Sequence, residues 1–232
     1  MDMKLSRQGY TTKEALKAVG LGILFMVIAL FVQSLIQDIP LLGFLALHGF
    51  NLGSIRNYAN LEFKYPLVFS IYLGFIAGAM QESATYIAVD TENKQLAFFI
   101  GIGFSIVDIA ILILEIFTGG ISGITGFQSI LIILNIISSL MFHPGTATFM
   151  KWGRLRGTGR MTLGISIVLH TVLDGGVLFS DLFVAKHPYD YYTVSIIFWI
   201  IAMGISTGIF VVGLRKIHGI SGIEKPEPPV VF

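Results

Sequence analysis

The chain lacks cysteine altogether and carries few charged residues. Without thiols it has no disulfides, thiolate metal ligands, iron–sulfur clusters or cysteine nucleophiles. Only 12% of its 232 residues are charged, whereas average soluble domains carry about 25%. The net charge is +1, and the basic residues form no long solvated face that would bind nucleic acid. A chain that is 54% hydrophobic, with mean hydropathy +0.81, is instead typical of a helical membrane protein.

Long apolar runs fill most of the sequence. Each of the six longest could cross a bilayer as a helix, which takes roughly 20 residues. The segment Pro40–Phe50 is shorter and suits an interfacial or re-entrant segment, although extending it to Asn57 would make a seventh span. The fold predicted is an all-α, polytopic transmembrane bundle of six spans plus a short apolar segment. The six runs are Val19–Ile36, Leu67–Val89, Leu96–Phe117, Phe127–Met150, Met161–Val184 and Tyr192–Leu214.

Three regions follow from this pattern. Residues 1–17 form a cytoplasmic amphipathic segment, 18–216 the transmembrane bundle, and 217–232 a flexible, proline-rich tail. The sequence Thr11-Thr12-Lys13-Glu14 has the spacing of a capping box, which predicts that the first helix begins there. The chain is therefore expected to enter the membrane as a helix that starts outside it.

The basic residues predict the orientation. With six spans and a cytoplasmic N-terminus, twelve of the fifteen Lys and Arg residues fall on the cytoplasmic side. Only Arg56, Lys64 and Lys186 fall outside, whereas a seventh span divides the charges almost evenly. Because cytoplasmic loops carry an excess of Lys and Arg, we expect six spans in the cell membrane with both termini in the cytoplasm.

Ionisable residues inside the spans fall into one layer. A charge such as Glu82 near the middle of a span costs about 2.5–3.5 kcal/mol, so partners are expected on other helices. Counted at 1.5 Å per residue, Glu82, His143 and His170 lie roughly 12–15 Å below the cytoplasmic helix ends. Asp108 and Asp174 lie at about 20 Å. Four successive spans thus place ionisable groups at similar depth, which predicts a buried functional site.

The residue types in this layer suit hydrolytic chemistry. His170 and Asp174 are four residues apart on one helix face, so the carboxylate could fix the tautomer of the ring. Glu82 could take a proton from water while His143 and His170 stabilise a developing oxyanion. Alternatively, Glu82, His143 and His170 could ligate zinc, whose catalytic sites use three N or O ligands and an open position.

Simpler interpretations exist for the individual residues. A single intramembrane histidine is often only an interhelical hydrogen-bonding group. Asp108 could pair with a nearby hydroxyl such as Ser105, and Tyr86 could serve packing alone. These interpretations do not explain why the groups agree in depth.

Two further features point to packing and to lipid. The motifs Gly74–Gly78 and Gly204–Gly208 fit the GxxxG pattern and predict close contacts between helices. The basic loop at 151–160 predicts contact with anionic lipid. Neither feature is expected to carry chemistry.

Four motifs occur in a fixed order on successive spans. They are Gln81-Glu82-x-x-x-Tyr86, Phe104-x-x-x-Asp108, Phe142-His143-Pro144-Gly145-Thr146 and His170-x-x-x-Asp174. This order resembles the glutamic-type intramembrane proteases, the superfamily of CAAX prenyl endopeptidases with its PrsW-like and YhfC-like branches. The YhfC-like branch is the most similar, through its Q-E motif and its glycine-flanked acidic motif.

The resemblance implies roles for the layer. Glu82 would be the catalytic base that activates water. His170 and Asp174 would stabilise the oxyanion or tune the water, and His143 and Asp108 would complete the catalytic set.

The resulting prediction is an intramembrane endopeptidase, or a protease homologue, that cuts a membrane-embedded or lipidated protein. Gln81 and Tyr86 would contact the substrate, and water would enter from the cytoplasm. One alternative is a small-solute transporter or its substrate-binding subunit. A second is a non-catalytic binding protein on the protease fold, which the departures from the family pattern at Tyr86 and Phe104 would allow.

Overall fold

The computed structural model describes residues 10–119 and 125–220. Most of the predicted N-terminal segment and most of the predicted tail lie outside these residues. Within them the chain forms a bundle of helices, and a single 3₁₀ turn at Pro188–Asp190 precedes the last one. The helices are α1 (Thr12–Gln37), α2 (Ile39–His48), α3 (Leu52–Lys64), α4 (Pro66–Ala88), α5 (Ala97–Gly119), α6 (Gly126–Leu155), α7 (Gly159–Lys186) and α8 (Tyr191–His218).

The all-α membrane bundle is confirmed. Among the described residues, six helical segments are long and apolar enough to cross a membrane, and they coincide with the six predicted runs. The first of these segments, Thr12–His48, joins α1 to α2. Since α2 has only 10 residues, it is too short to span alone, as predicted for Pro40–Phe50. The amphipathic α3 that follows it was not predicted.

Capping boxes begin two of the spans. The Thr11 N–H donates to Glu14 Oε2 at 2.7 Å, and the Glu14 N–H donates to Thr11 Oγ1 at 3.3 Å. This confirms the predicted start of α1. Thr125 and Gln128 form the same reciprocal pair at the start of α6. Each pair satisfies backbone N–H groups that a helix terminus otherwise leaves without partners.

The helices pack in pairs. The most extensive contacts join α4 to α7 and α6 to α8, while α1 packs on α5 and α4, and α5 packs on α6. We name the two ends of the bundle from their charges. The basic face is the end that carries Lys17, Lys94, Arg154 and Arg215, and the opposite face is the end that carries α3. Because α4 and α7 are antiparallel, residues early in α7 meet residues late in α4.

The two GxxxG motifs differ in what they contact. A Cβ at Gly74 would lie 2.6 Å from the backbone nitrogen of Gly175, and a Cβ at Gly78 would lie 2.8 Å from the Ile167 carbonyl oxygen. The prediction of a close helix contact is therefore confirmed at the first motif. It is wrong at Gly204 and Gly208, where no heavy atom of the described residues lies within 4 Å of such a Cβ, because this side of α8 faces away from the bundle.

Candidate catalytic cavity

A buried contact between a carboxylate and a histidine joins α4 to α7. The side chain of Glu82 is fully buried, and its Oε1 lies 2.7 Å from His170 Nδ1. The glycines Gly74 and Gly78 on the same face of α4 allow the two backbones to approach closely enough for this contact. The cost of placing Glu82 in a span is thus offset by a partner on another helix, as the layer predicted.

The other edge of the His170 ring contacts a second carboxylate. His170 Nε2 lies 3.4 Å from Asp174 Oδ2, one helical turn further along α7. The Asp174 side chain is 41% exposed, whereas that of Glu82 is 0% exposed. Since the two ring nitrogens of histidine face different carboxylates, the ring can donate to either one, or to both when protonated. His170 therefore connects a sealed carboxylate to an accessible one.

A second histidine–carboxylate pair lies beside the first. His143 Nε2 on α6 is 3.8 Å from Asp108 Oδ2 on α5, and the rings of His143 and His170 have centroids 5.5 Å apart. Gly101 lets α5 approach here, because a Cβ at this position would lie 2.6 Å from the His143 carbonyl oxygen. The hydroxyl of Ser105 does not pair with Asp108 but donates to the Ser139 carbonyl at 2.8 Å.

These groups line a cavity of about 320 Å³ between α5, α6, α7 and α8. Asp108, His143, His170 and Asp174 all contribute to its wall. Every lining residue of α7 is His170 or a later residue, as far as Asp181, so the cavity runs toward the opposite face. The cavity therefore extends away from the basic face, which the sequence predicts to be cytoplasmic, and entry of water from the cytoplasm stays a prediction.

Glu82 does not line this cavity. Its side chain is 0% exposed, and it lies behind the His170 ring. In the part of the chain that the structure describes, its second oxygen, Oε2, has no hydrogen-bond partner. A carboxylate in this position can orient and polarise His170 but has no surface at which to meet a water in the cavity. The role predicted for Glu82 as the base that acts directly on water thus disagrees with its placement.

The two residues predicted to contact substrate both lie outside the cavity. Gln81 faces α1, where its Nε2 donates to Gln33 Oε1 at 3.0 Å. Tyr86 lies one turn closer to the basic face, and the guanidinium of Arg154 stacks over its ring at 4.4 Å. Successive helix residues are about 100° apart around the axis, so Gln81 and Glu82 cannot face the same neighbour. Both side chains support helix packing.

The predicted zinc ligands do not fit a metal ion. Among residues 10–119 and 125–220, no three His, Asp or Glu side chains are placed to hold one. Glu82 Oε1 and His170 Nδ1 are in direct hydrogen-bond contact, whereas zinc would have to stand between them at about 2.0–2.2 Å from each.

Several polar residues of the cavity were missed from the sequence. Asn135 and Ser139 on α6 precede His143 by eight and four residues, and Asp181 on α7 follows Asp174 by seven. These spacings place each residue on the same helix face as a predicted one. Helical periodicity counted from the histidines was therefore the signal that could have identified them.

Comparison of the chain with protein-family models, with curated proteins and with solved structures finds no match. The function is therefore inferred from the geometry of the cavity together with the order of its motifs.

Proposed function

We propose that the chain is an intramembrane endopeptidase of the glutamic-type superfamily, most similar to its YhfC-like branch. It hydrolyses a peptide bond of a membrane-embedded or lipidated protein. The observation that supports this most is the placement of His170 between the sealed carboxylate of Glu82 and the accessible carboxylate of Asp174. A histidine held by a buried carboxylate on one nitrogen presents its other nitrogen to Asp174 in a defined orientation, and this contact positions Asp174 for acid–base work.

The chemistry is assigned to the groups that reach the cavity. Asp174, whose Oδ2 lies 3.4 Å from His170 Nε2, takes a proton from water, and the water oxygen adds to the peptide carbonyl carbon. His143 stabilises the oxyanion that forms. When the C–N bond breaks, the proton returns through Asp174 to the leaving amine. Glu82 is a positioning residue in this scheme, since it acts through His170.

The first test compares cleavage by variants. Asp174→Asn and His143→Ala are expected to lower cleavage by about 10²–10⁴, the usual contribution of a general acid or base. New N-termini in the membrane proteome of cells that express each variant provide the measurement. Glu115→Gln, which removes an exposed carboxylate of α5 outside the cavity, should cut like the unmodified chain. Full activity of both cavity variants would refute the assignment.

The same assay tests whether Glu82 positions His170 or is itself the catalytic base. A glutamine at this position keeps an oxygen that accepts the Nδ1–H of His170, so Glu82→Gln should reduce cleavage less than Asp174→Asn does. A loss at least as large as that of Asp174→Asn would instead indicate that Glu82 is the base. If the unmodified chain produces no new termini, the non-catalytic binding protein is the better description.

The alternative of a small-solute transporter or substrate-binding subunit is supported by one observation. The cavity of about 320 Å³ has room for a single small molecule and lies between helices, where transporters place their substrates. A transporter must open to both faces in turn, so accumulation of a solute without any peptide cleavage would favour it.

The basic loop at 151–160 is proposed to bind anionic lipid, with the basic face in the cytoplasm. Arg154 is occupied internally, because it pairs with Asp90 and stacks on Tyr86. Arg156 and Arg160 are exposed and are the residues free to meet a headgroup.

Replacing both exposed arginines tests this contact. Each basic residue near an anionic surface contributes about 1 kcal/mol, so Arg156→Gln with Arg160→Gln should weaken binding of phosphatidylglycerol by roughly tenfold or more. Native mass spectrometry of the protein with bound lipid gives the measurement. Arg56→Gln on α3, an exposed arginine at the opposite face, is the matched control and should retain lipid. Equal lipid retention by all variants would exclude this loop as the site.

A further inference from the structure

The cavity has an excess of negative charge. Asp108, Asp174 and Asp181 line it, and no Lys or Arg of the described residues does. The two lining histidines each lie beside a carboxylate, His143 beside Asp108 and His170 beside Asp174. Asp181 has no cationic partner in the described part of the chain. The Asp181 side chain is exposed near the end of α7. Because a cavity lined by charges of one sign raises the local concentration of the opposite ion, a cation is expected in the outer part of the cavity.

The aromatic part of the cavity wall also suits a cation. Phe198 and Trp199 of α8 line the cavity next to the acidic residues, and aromatic faces attract ammonium and guanidinium groups. The volume of about 320 Å³ is at the lower end of the range for small-ligand pockets.

We infer that the outer part of the cavity binds an ammonium or guanidinium group, held by the Asp181 carboxylate and the Trp199 ring. The inference deepens the proposed function, on which it rests for its biological meaning: the cation would belong to the substrate, as a basic side chain near the cleaved bond or as a free amine. Asp181 would then select the substrate and take no part in bond cleavage.

Fluorescence of Trp199 can report this binding directly. The chain has two tryptophans, and the other, Trp152, lies outside the cavity, where Lys216 stacks over its ring at 5.0 Å. In purified full-length protein carrying Trp152→Phe, benzamidine and benzylamine should change the Trp199 emission saturably. Their neutral counterparts of similar shape, benzamide and benzyl alcohol, should not.

Variants at the carboxylate make the test specific. Asp181→Asn should weaken benzamidine binding at least tenfold, Asp181→Glu should retain it, and Glu115→Gln, at an exposed carboxylate outside the cavity, should not change it. Equal responses to benzamidine and benzamide, or no effect of Asp181→Asn, would overturn the inference. Because no bond is broken in this measurement, its outcome is independent of whether the chain cleaves peptides.

A final comparison separates the two sources of the cation. Two short peptide amides, one with a single arginine and one with glutamine at the same position, compete with benzamidine for the cavity. Stronger competition by the arginine peptide indicates a basic side chain of a protein substrate. If neither peptide competes while benzylamine still binds, the cation is a free amine.

Discussion

Replacement of His170 by alanine is expected to destabilise the bundle strongly, and a second change, Glu82→Gln, is expected to restore much of the loss. His170 is the hydrogen-bond partner of a carboxylate that is 0% exposed. Removal of one member of a buried pair leaves an uncompensated charge and costs about 3–5 kcal/mol. Glutamine in place of Glu82 removes that charge, so the double variant should be more stable than His170→Ala alone. The free energy of unfolding is measured in detergent micelles for the unmodified chain, the two single variants and the double variant. The difference between the double variant and the sum of the single variants gives the coupling energy between Glu82 and His170.

The second histidine provides the matched control. His143→Ala also removes the ring of a histidine–carboxylate pair, but Asp108 is 40% exposed and lies 3.8 Å away. Water in the cavity can hydrate Asp108 after the ring is gone, so the loss of stability should be smaller than for His170→Ala. If the changes in unfolding free energy caused by His170→Ala and Glu82→Gln were simply additive, the buried contact between the two residues would be contradicted, since residues in direct contact are expected to couple.

The depth of the site could be predicted from the sequence, but the directions in which its side chains point could not. Depth follows from counting residues inward from charged loops, because the rise of a helix is constant. The distances Glu82–His170 and His143–Asp108 show that this count brought the right groups together. The direction in which a side chain points depends on how each helix is rotated against its neighbours. For this reason Gln81 was expected in the site but contacts Gln33 on α1.

The end of the bundle toward which the cavity extends depends on packing in the same way. The sequence predicts access of water from the cytoplasm, and the loop charges predict that the cytoplasmic end is the basic face, where most Lys and Arg residues lie. In the structure, Arg154 at that face closes on Tyr86 and Asp90. The lining residues continue to Asp181 on the other side. Loop charge reports on orientation in the membrane and carries no information on where helices separate.

The two GxxxG motifs are the clearest case in which one pattern has two outcomes. Both have the same spacing, yet only Gly74 and Gly78 lie against another helix, whereas Gly204 and Gly208 face away from the described helices. The motif indicates that another helix can approach closely without a steric clash. Whether a partner helix is present there depends on the whole arrangement of the bundle.

Gly74→Ala and Gly78→Ala, alone and together, are expected to destabilise the protein and to abolish cleavage when combined. The added Cβ at Gly74 would lie 2.6 Å from the Gly175 nitrogen and 2.8 Å from the Thr171 carbonyl oxygen. Because these are backbone atoms, the clash can be relieved only by moving α4 away from α7. Overpacking of this kind costs about 1–3 kcal/mol per site. The movement also lengthens the Glu82–His170 contact, so activity and stability should fall together.

Gly204→Ala and Gly208→Ala are the matched controls, with the same chemical change at the same spacing in another span. Their Cβ atoms meet open space on the described part of the chain, and alanine favours the helix over glycine by about 1 kcal/mol. These variants should melt at or above the temperature of the unmodified chain and cleave normally. If the controls lost as much stability as the Gly74 and Gly78 variants, α8 would have a partner on the face that carries Gly204 and Gly208. The first partner to test would be a second copy of the chain, by cross-linking of the Gly204→Cys variant. If all four variants melted normally, the close contact between α4 and α7 that holds Glu82 against His170 would be wrong.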